Sequence, residues 1–225
     1  VRAKILGIKL RESGMAETAA SDRRAMRRYC ALARALTKWR RPVLVTMTGY
    51  SGSGKSWLSK RLVPGLSAIR LRSDLERKRL AGLDPVADSQ SGIAGGLYDR
   101  ATTSAVYDHL LEIAGELLRA GLNVILDASF LSASHRRLAK QTAENSGAGY
   151  VLLRTSAAET ELRERLSDRM GRSTVSEADA AVLCHQFESA DPLTESEKHA
   201  AITVDTEAQI DLPELTARIQ RAAGE

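Results

Sequence analysis

The sequence predicts an α/β fold in which a parallel sheet is flanked by helices. From Pro42 to the end of the chain, short apolar runs alternate with helical segments of about ten residues or more. Strands that are separated in this way pair in parallel through right-handed crossovers. The first apolar run also leads into a glycine-rich turn that opens a helix. Ligands of such sheets bind at the carboxyl ends of the strands, so we expect the functional residues there.

Five apolar runs are the predicted strands: 43–48, 68–73, 122–129, 149–154 and 200–206. One helix is predicted to follow the glycine-rich turn and another to begin at Asp74. The later predicted helices cover 97–119, 134–147, 157–170, 176–189 and 211–224. A loop rich in Gly, Ser and Asp, residues 82–96, is predicted before the long helix.

The distribution of charge divides the chain near residue 41. Residues 1–41 contain 12 Lys and Arg against three acidic residues, a net charge of +9, whereas the remainder contains 21 basic and 25 acidic residues, a net charge of −4. We therefore predict a helical extension over 1–41 and a catalytic domain over 42–225. The basic helix predicted over 14–40 is either a solvated helix that docks one face on a neighbouring domain, or an arm for nucleic acid or a membrane surface. The negative charge of 42–225 argues against a polyanion-binding groove there.

Composition indicates a reduced cytoplasmic protein without a membrane partner. No apolar run approaches the roughly 20 residues of a membrane-spanning helix, and no signal-peptide pattern opens the sequence. The two cysteines, Cys30 and Cys184, are far apart, and neither they nor the four histidines have a metal-binding spacing.

The segment TGYSGSGKSW, residues 48–57, contains the pattern G-x-x-x-x-G-K-S between an apolar strand and a helix. This context predicts a P-loop NTPase fold, because glycines let the loop amides surround phosphates at the positive end of a helix. Lys55 is predicted to reach the β- and γ-phosphates, and Ser56 to bind Mg²⁺. The ring of Trp57 is expected to pack and not to stack on a base. The nucleotide-binding residues predicted in this segment are Gly49, Ser51, Gly52, Ser53, Gly54, Lys55, Ser56 and Trp57.

Two acidic residues follow predicted strands. Asp74 stands where an acid can accept the proton of an attacking hydroxyl, although Asp in this position also suits a helix N-cap. Arg77 shares a helical face with Asp74 because it lies three residues further on. Asp127 ends the run VILD and is predicted, with Ser56 and Asp74, to lie at the metal site. An ion pair between Arg77 and Asp127 is a further hypothesis.

Four arginines crowd the segment before and into the turn MGRST: Arg163, Arg165, Arg169 and Arg172. They predict a lid over about 163–176, because arginines on a closing lid can neutralise a transferring phosphate. We assign Arg165, Arg169 and Arg172 to nucleotide binding, and Arg165 and Arg169 to catalysis together with Lys55, Asp74 and Arg77. The alternative is a solvated helix whose arginines pair with acidic residues at i, i+4 spacing, as Glu161 and Arg165 would.

Several segments in order resemble a known family: GYSGSGKSW, LRSDLERKRLAG, VILDASF, LRERLSDR and HQFESADPLTESEK. Over about residues 42–222 the chain resembles the small P-loop kinases grouped with polynucleotide kinase, zeta toxin and gluconate kinase. The resemblance is closest to the kinase-like half of bacterial proteins whose other half resembles an aminoglycoside phosphotransferase. Two features depart from the pattern: Trp57 follows the serine of the loop, and LRTSAAE lacks a proline before the lid helix.

This resemblance implies ATP and Mg²⁺ as cofactors and a mobile lid. It implies that Asp74 is the base, that Arg77 contacts the acceptor side, and that Asp127 is the acid after the third strand. It also implies that residues 1–40 are the tail of a preceding domain, covalently attached in the full-length protein.

The residues and the resemblance together predict an ATP-dependent phosphotransferase that acts on a hydroxyl of a small-molecule or nucleotide-like acceptor. Two alternatives stay open. One is a regulatory module in which ATP binding or slow hydrolysis modulates an attached phosphotransferase-like domain. The other is a kinase of 5′-hydroxyls in nucleic acid, which the Asp74–Arg77 spacing suggests and the charge of 42–225 does not favour. The loop 82–96, with Tyr98 and Tyr107 after it, borders the expected acceptor side but contains no motif that identifies the acceptor. The two tyrosines either bind the acceptor or pack in the core.

Overall fold

The computed structural model describes residues 4–5, 7–8, 16–37, 41–82, 100–169 and 177–224. The chain divides into two compact units, Val1–Arg40 and Arg41–Glu225. In the first unit, helix α1 spans Ala16–Thr37, within the helix predicted over 14–40. Its basic residues Arg23, Arg24, Arg27 and Arg28 are exposed.

The second unit contains a sheet of five parallel strands in the order β2-β3-β1-β4-β5. The strands are β1 (Val43–Thr48), β2 (Ala68–Arg72), β3 (Asn123–Asp127), β4 (Gly149–Ser156) and β5 (Ile202–Asp205). All five predicted strands are present, and the predicted α/β fold is confirmed. Because β1 is central, its carboxyl end is flanked by the carboxyl ends of β3 and β4.

Eight helices are described in the second unit: α2 (Lys55–Leu66), α3 (Ser73–Leu80), α4 (Arg100–Arg119), α5 (Ala133–Asn145), α6 (Glu159–Arg169), α7 (Glu177–Ser189), α8 (Glu195–Ala200) and α9 (Leu212–Ala222). The short helix α8 was not predicted. It begins with a capping box in which Thr194 and Glu197 bond reciprocally to each other's backbone amides. The sequence T-x-x-E is the signal that would have located it. Among the described residues, no helix has the length and apolarity that crossing a bilayer requires.

Both faces of the sheet are covered by apolar packing. Along β1, Val45 and Met47 point into the core that is shared with α2 and α9, whereas Leu44 points into the core that is shared with α4 and α5. Side chains of a strand alternate between the two faces, so one apolar run serves both cores. Asp127 ends β3 at the carboxyl edge of the sheet, and the phosphate loop follows the carboxyl end of β1.

Candidate nucleotide-binding site

The phosphate loop connects β1 to α2 at the carboxyl edge of the sheet. Gly54 is the N-cap of α2, with a φ of 82°. Within the described residues, no side chain caps this helix, and its first turn contains no acidic residue. The first amides of a helix have no partner inside the helix and carry its partial positive charge. The loop and helix therefore fit a nucleotide phosphate, which these amides would bind.

The glycines of the loop are required by its close packing. A Cβ atom on Gly49 would lie 2.5 Å from the Thr155 hydroxyl, and a Cβ atom on Gly52 would lie 2.7 Å from the Leu162 carbonyl oxygen. The hydroxyls of Ser53 and Thr155 are hydrogen-bonded at 2.7 Å. The loop is thus held against β4 and α6, and side chains at Gly49 or Gly52 would displace it.

The ammonium group of Lys55 bridges the mouth of the loop. It donates hydrogen bonds to the carbonyl oxygens of Gly49 at 2.8 Å and Tyr50 at 2.7 Å. A fixed positive charge inside a phosphate-binding loop is the arrangement expected for a β- or γ-phosphate ligand.

Replacing Lys55 by Met, which retains the aliphatic stem, is expected to weaken ATP binding by about 10- to 100-fold because charge-assisted hydrogen bonds are lost. Titration calorimetry with ATP measures this change. Lys60, exposed on the same helix α2, provides the matched control Lys60→Met, whose dissociation constant should equal that of the wild type. An unaltered ATP dissociation constant in Lys55→Met would contradict the assignment.

A buried carboxylate lies beside the loop. Asp127, at the end of β3, is 5% exposed and accepts a hydrogen bond from the Ser56 hydroxyl at 3.2 Å. Its other oxygen is bound by both Arg70 Nε, at 3.1 Å, and a terminal nitrogen of Arg70. The predicted ion pair between Arg77 and Asp127 is therefore wrong. Arg70 binds Asp127 instead, because Arg70 lies on β2, the strand that pairs directly with β3.

Ser56 and Asp127 fit the Mg²⁺ ion that a phosphate loop implies. A hydroxyl and a carboxylate are the hard oxygen donors that Mg²⁺ prefers, and Mg²⁺ usually binds one or two such groups plus phosphate oxygens and water. In the part of the chain that the structure describes, no three His, Cys, Asp or Glu side chains are grouped to hold a metal by themselves. Phosphate oxygens and water would therefore complete the coordination.

Replacing Asp127 by Asn is expected to raise the Mg²⁺ concentration for half-maximal ATP binding by about 10-fold, because the carboxylate charge at the metal is lost. ATP titrations at a series of Mg²⁺ concentrations measure this. Asp108→Asn, at an exposed position on α4, should leave the Mg²⁺ dependence unchanged. Equal Mg²⁺ dependence in Asp127→Asn and the wild type would remove Asp127 from the metal site.

Asp74 lies near the same edge of the sheet. The β2–β3 register pairs Arg72 with Asp127, and the Ser73 hydroxyl donates a long hydrogen bond of 3.5 Å to the Asp127 carbonyl. Asp74 is the second residue of α3, and its side chain is 56% exposed. Arg72 binds both of its oxygens, with an Nε–Oδ1 distance of 3.1 Å. The N-cap of α3 is Arg72 and not Asp74, and among the described residues no N-cap side chain bonds to the first turn of this helix.

Comparison with known proteins identifies the domain. A family model described as an AAA domain, AAA_33, matches residues 44–193, which is more than half of the chain. The chain belongs to the AAA_33 family. Curated relatives include the uncharacterized proteins Mb2027c of Mycobacterium bovis and Rv2004c of Mycobacterium tuberculosis, each 30% identical over 138 residues. The match covers 61% of this chain but 28% of each relative, so the chain spans little more than a quarter of their length.

Solved structures share the fold of this AAA_33 domain. A gluconokinase from Sinorhizobium meliloti superposes with a TM-score of 0.53 at 23% identity, over 81% of this chain and 92% of that chain. The APS kinase CysC of Mycobacterium tuberculosis has a TM-score of 0.55 at 19% identity, over 81% and 97%. Kti12 of Chaetomium thermophilum, in complex with ADP-AlF3, has a TM-score of 0.60 at 16% identity, over 80% and 98%. The predicted P-loop NTPase fold is confirmed, while the kinase group and the link to an aminoglycoside-phosphotransferase-like domain stay predictions.

The predicted lid residues of the AAA_33 domain are only partly described. Arg163 pairs with Glu159 and Arg165 with Glu161, both at i, i+4 spacing. Arg165 also donates to the carbonyl oxygens of Gly52, at 3.4 Å, and Thr206, at 3.1 Å. It therefore braces the outside of the phosphate loop, and its role at the phosphates stays a prediction. The side chain of Arg169, all of Arg172, Tyr98 and nearly all of the loop 82–96 lie outside the described residues.

Sequence reasoning missed a strained turn after β3. Phe130 has a φ of 41°, an unfavourable backbone conformation for a bulky residue. Its amide donates to the Tyr107 hydroxyl at 3.3 Å, and its carbonyl accepts from Thr48 at 3.1 Å. The adjacent carbonyl of Ser129 accepts from the Gly49 amide at 3.2 Å. The turn thus joins β3 to the phosphate loop, and such strain is typical of functional sites.

Tyr107 belongs to the core rather than to an open acceptor surface. It is 7% exposed and contacts the Phe130 ring edge to face. Burial raises the pKa of the Tyr107 hydroxyl, while the hydrogen bond from Phe130 and the positive charge of Arg77 act in the opposite direction.

A buried arginine anchors residues 191–197 to the turn that follows β3. Arg136, on α5, is 1% exposed and binds both carboxylate oxygens of Glu197, at 2.7 and 3.1 Å. It also donates to four backbone carbonyls, those of Phe130, Leu131, Asp191 and Pro192. Partial burial opposes the ionisation of Glu197, but the hydrogen bonds from Arg136 and the Thr194 amide outweigh it and lower the pKa of Glu197. This network fastens residues 191–197 to the turn after β3.

Proposed function

We propose that residues 42–225 form an ATP- and Mg²⁺-dependent phosphotransferase that moves the γ-phosphate to a hydroxyl of a small-molecule or nucleotide-like acceptor. One observation carries this proposal. The carboxyl edge of one sheet holds three features together: the phosphate loop with the uncapped N-terminus of α2, the Ser56–Asp127 pair, and the exposed carboxylate of Asp74. Other proteins of this fold are called gluconokinase and APS kinase, which supports the same reaction class.

In the proposed reaction, Asp74 accepts the proton of the acceptor hydroxyl while that oxygen forms a bond to the γ-phosphorus. The bond between the γ-phosphorus and the bridging oxygen breaks, and ADP leaves. Lys55 stabilises the negative charge on the β- and γ-phosphates by its fixed ammonium. Arg72 holds the Asp74 carboxylate in place, and Arg77, one turn further along α3, would contact the acceptor.

Ser56 and Asp127 would hold Mg²⁺, which when bound neutralises phosphate charge as a Lewis acid. Arg70 keeps the Asp127 carboxylate oriented toward Ser56, because it occupies the other carboxylate oxygen. The first turn of α2 binds the phosphates through its backbone amides.

A second candidate is favoured by a specific contact. The Asp74 carboxylate is engaged by Arg72 through two hydrogen bonds, as expected for a residue with a structural role. On that interpretation the domain is a regulatory module that binds or slowly hydrolyses ATP. The curated relatives are much longer than the matched region, so we also propose a covalently attached partner domain in the full-length protein.

The test is transfer of labelled γ-phosphate from ATP to a panel of sugars, nucleosides, aminoglycosides and 5′-hydroxyl oligonucleotides. The phosphotransferase predicts a labelled organic product with at least one acceptor class. Label that appears only in inorganic phosphate, at a rate that no acceptor changes, would contradict the proposal and favour the regulatory module. A labelled oligonucleotide as the sole product would identify a nucleic-acid kinase.

A further inference from the structure

Helix α7, which follows the predicted lid segment in the sequence, binds the tip of the phosphate loop. Gln186 of α7 accepts a hydrogen bond from the Ser51 amide at 2.8 Å, and its own amide donates to the Ser51 hydroxyl at 3.0 Å. The next residue, Phe187, contacts the ring of Tyr50 edge to face, with a centroid distance of 4.6 Å. Two consecutive loop residues are thus held by two consecutive helix residues.

The same face of α7 is anchored to α6. Leu183, fully buried, lies one turn before Gln186 and Phe187 and packs with Leu162 and Leu166 of α6. Residues 170–176, which join the two helices, are outside the described part. The loop tip is therefore connected to α6 and α7 together, through Leu183 and through the Gln186–Ser51 pair.

The loop tip lies beside the group that is expected to bind the outer phosphates. Lys55 donates to the carbonyls of Gly49 and Tyr50, so Ser51 is the residue that follows this charged contact. A glycine-rich loop loses much conformational freedom when it closes on a phosphate. A side chain that holds its tip in advance reduces this cost and increases the affinity.

We propose that Gln186 is a positioning residue for the phosphate loop, which it holds in the ATP-binding conformation through Ser51. This inference rests on the proposed ATP-dependent function and adds a residue that none of the loop motifs contains. If it is correct, α7 affects the affinity for the β- and γ-phosphates in addition to any effect of the predicted lid arginines.

The test compares Gln186→Met, Ser51→Ala and the double variant by titration calorimetry with a non-hydrolysable ATP analogue and with AMP. Methionine matches the length and helix propensity of glutamine but forms neither hydrogen bond, so α7 should remain folded. We expect Gln186→Met to weaken binding of the ATP analogue by about 10-fold and binding of AMP by less than about 2-fold. Gln141→Met, at an exposed position on α5, is the matched control and should bind as the wild type does.

The double variant separates positioning from general stability. Ser51→Ala removes the bond to the Ser51 hydroxyl but keeps the bond from the Ser51 amide to Gln186, so its loss should be smaller than that of Gln186→Met, and the double variant should lose no more affinity than Gln186→Met alone. A double variant that loses clearly more affinity than Gln186→Met, or unchanged affinity for the ATP analogue in Gln186→Met, would overturn the inference. Wild-type protein that binds no ATP analogue would overturn both this inference and the proposed function, whereas binding without phosphoryl transfer to any acceptor would defeat the proposed function alone.

Discussion

Replacing Asp74 by Asn is expected to lower the rate of phosphoryl transfer to the acceptor by about 10²- to 10⁴-fold, the range typical of a lost general base. The amide of asparagine occupies the same space but cannot take the proton of the hydroxyl. Nucleotide affinity should persist, because the loop amides, Lys55 and Ser56 are unaffected. Initial rates at saturating ATP, with the ATP dissociation constant determined separately, measure both parts of the expectation.

Two controls accompany this variant. Asp108→Asn makes the same chemical change at an exposed position on α4 and should retain wild-type turnover. Asp74→Glu keeps the carboxylate and should recover part of the lost activity. If Asp74→Asn transfers phosphate at the wild-type rate, the carboxylate paired with Arg72 is not the base.

Replacing Glu197 by Ala is expected to lower the free energy of unfolding by about 3 kcal/mol, near the lower limit for removing one partner of a buried ion pair. The guanidinium of Arg136 is 1% exposed and would keep only its four backbone carbonyl partners. The capping box of α8 would be lost as well. Urea denaturation followed by circular dichroism measures the change.

Glu195→Ala provides the matched control in the first turn of the same helix. Glu195 pairs with Lys198, and both side chains are more than half exposed. Such a surface pair contributes at most about 1 kcal/mol. A loss in Glu197→Ala no larger than that in Glu195→Ala would show that the buried network is not a main source of stability.

The lowered pKa of Glu197 also predicts how stability depends on pH. In the folded protein this carboxylate stays ionised below its ordinary pKa of 4.5. Its contribution to the free energy of unfolding is therefore fully present above pH 4.5 and is lost as the pH falls through the lower pKa of the folded protein. The wild type should lose more stability than Glu197→Gln as the pH falls below about 5. Equal losses, measured as free energies of unfolding over this range, would contradict the assignment.

The strands and the phosphate loop could be predicted because their signals are local. Each apolar run ends near a turn, and the loop has a fixed spacing of glycines between a strand and a helix. Asp127 could be placed for the same reason, since it ends a buried run. Such patterns can be recognised without knowing which strands are neighbours in the sheet.

The partners of the site residues could not be predicted, because they depend on sheet order. The hypothesis of an ion pair paired Arg77 with Asp127, but β2 lies next to β3 and brings Arg70 there instead. Arg136 and Glu197 are 61 residues apart, and Gln186 and Ser51 are 135 apart. The T-x-x-E pattern at Thr194–Glu197 is a local signal for the start of α8, but it indicates none of these three contacts.

The most direct measurement is ADP formation, followed continuously with and without the acceptor that the labelling screen identifies, in the wild type and in Asp74→Asn. A phosphotransferase that uses Asp74 predicts acceptor-dependent ADP formation in the wild type, one phosphorylated acceptor for each ADP, and loss of both in Asp74→Asn. Slow ADP formation that is equal with and without every acceptor, and equal in the two proteins, would contradict the account.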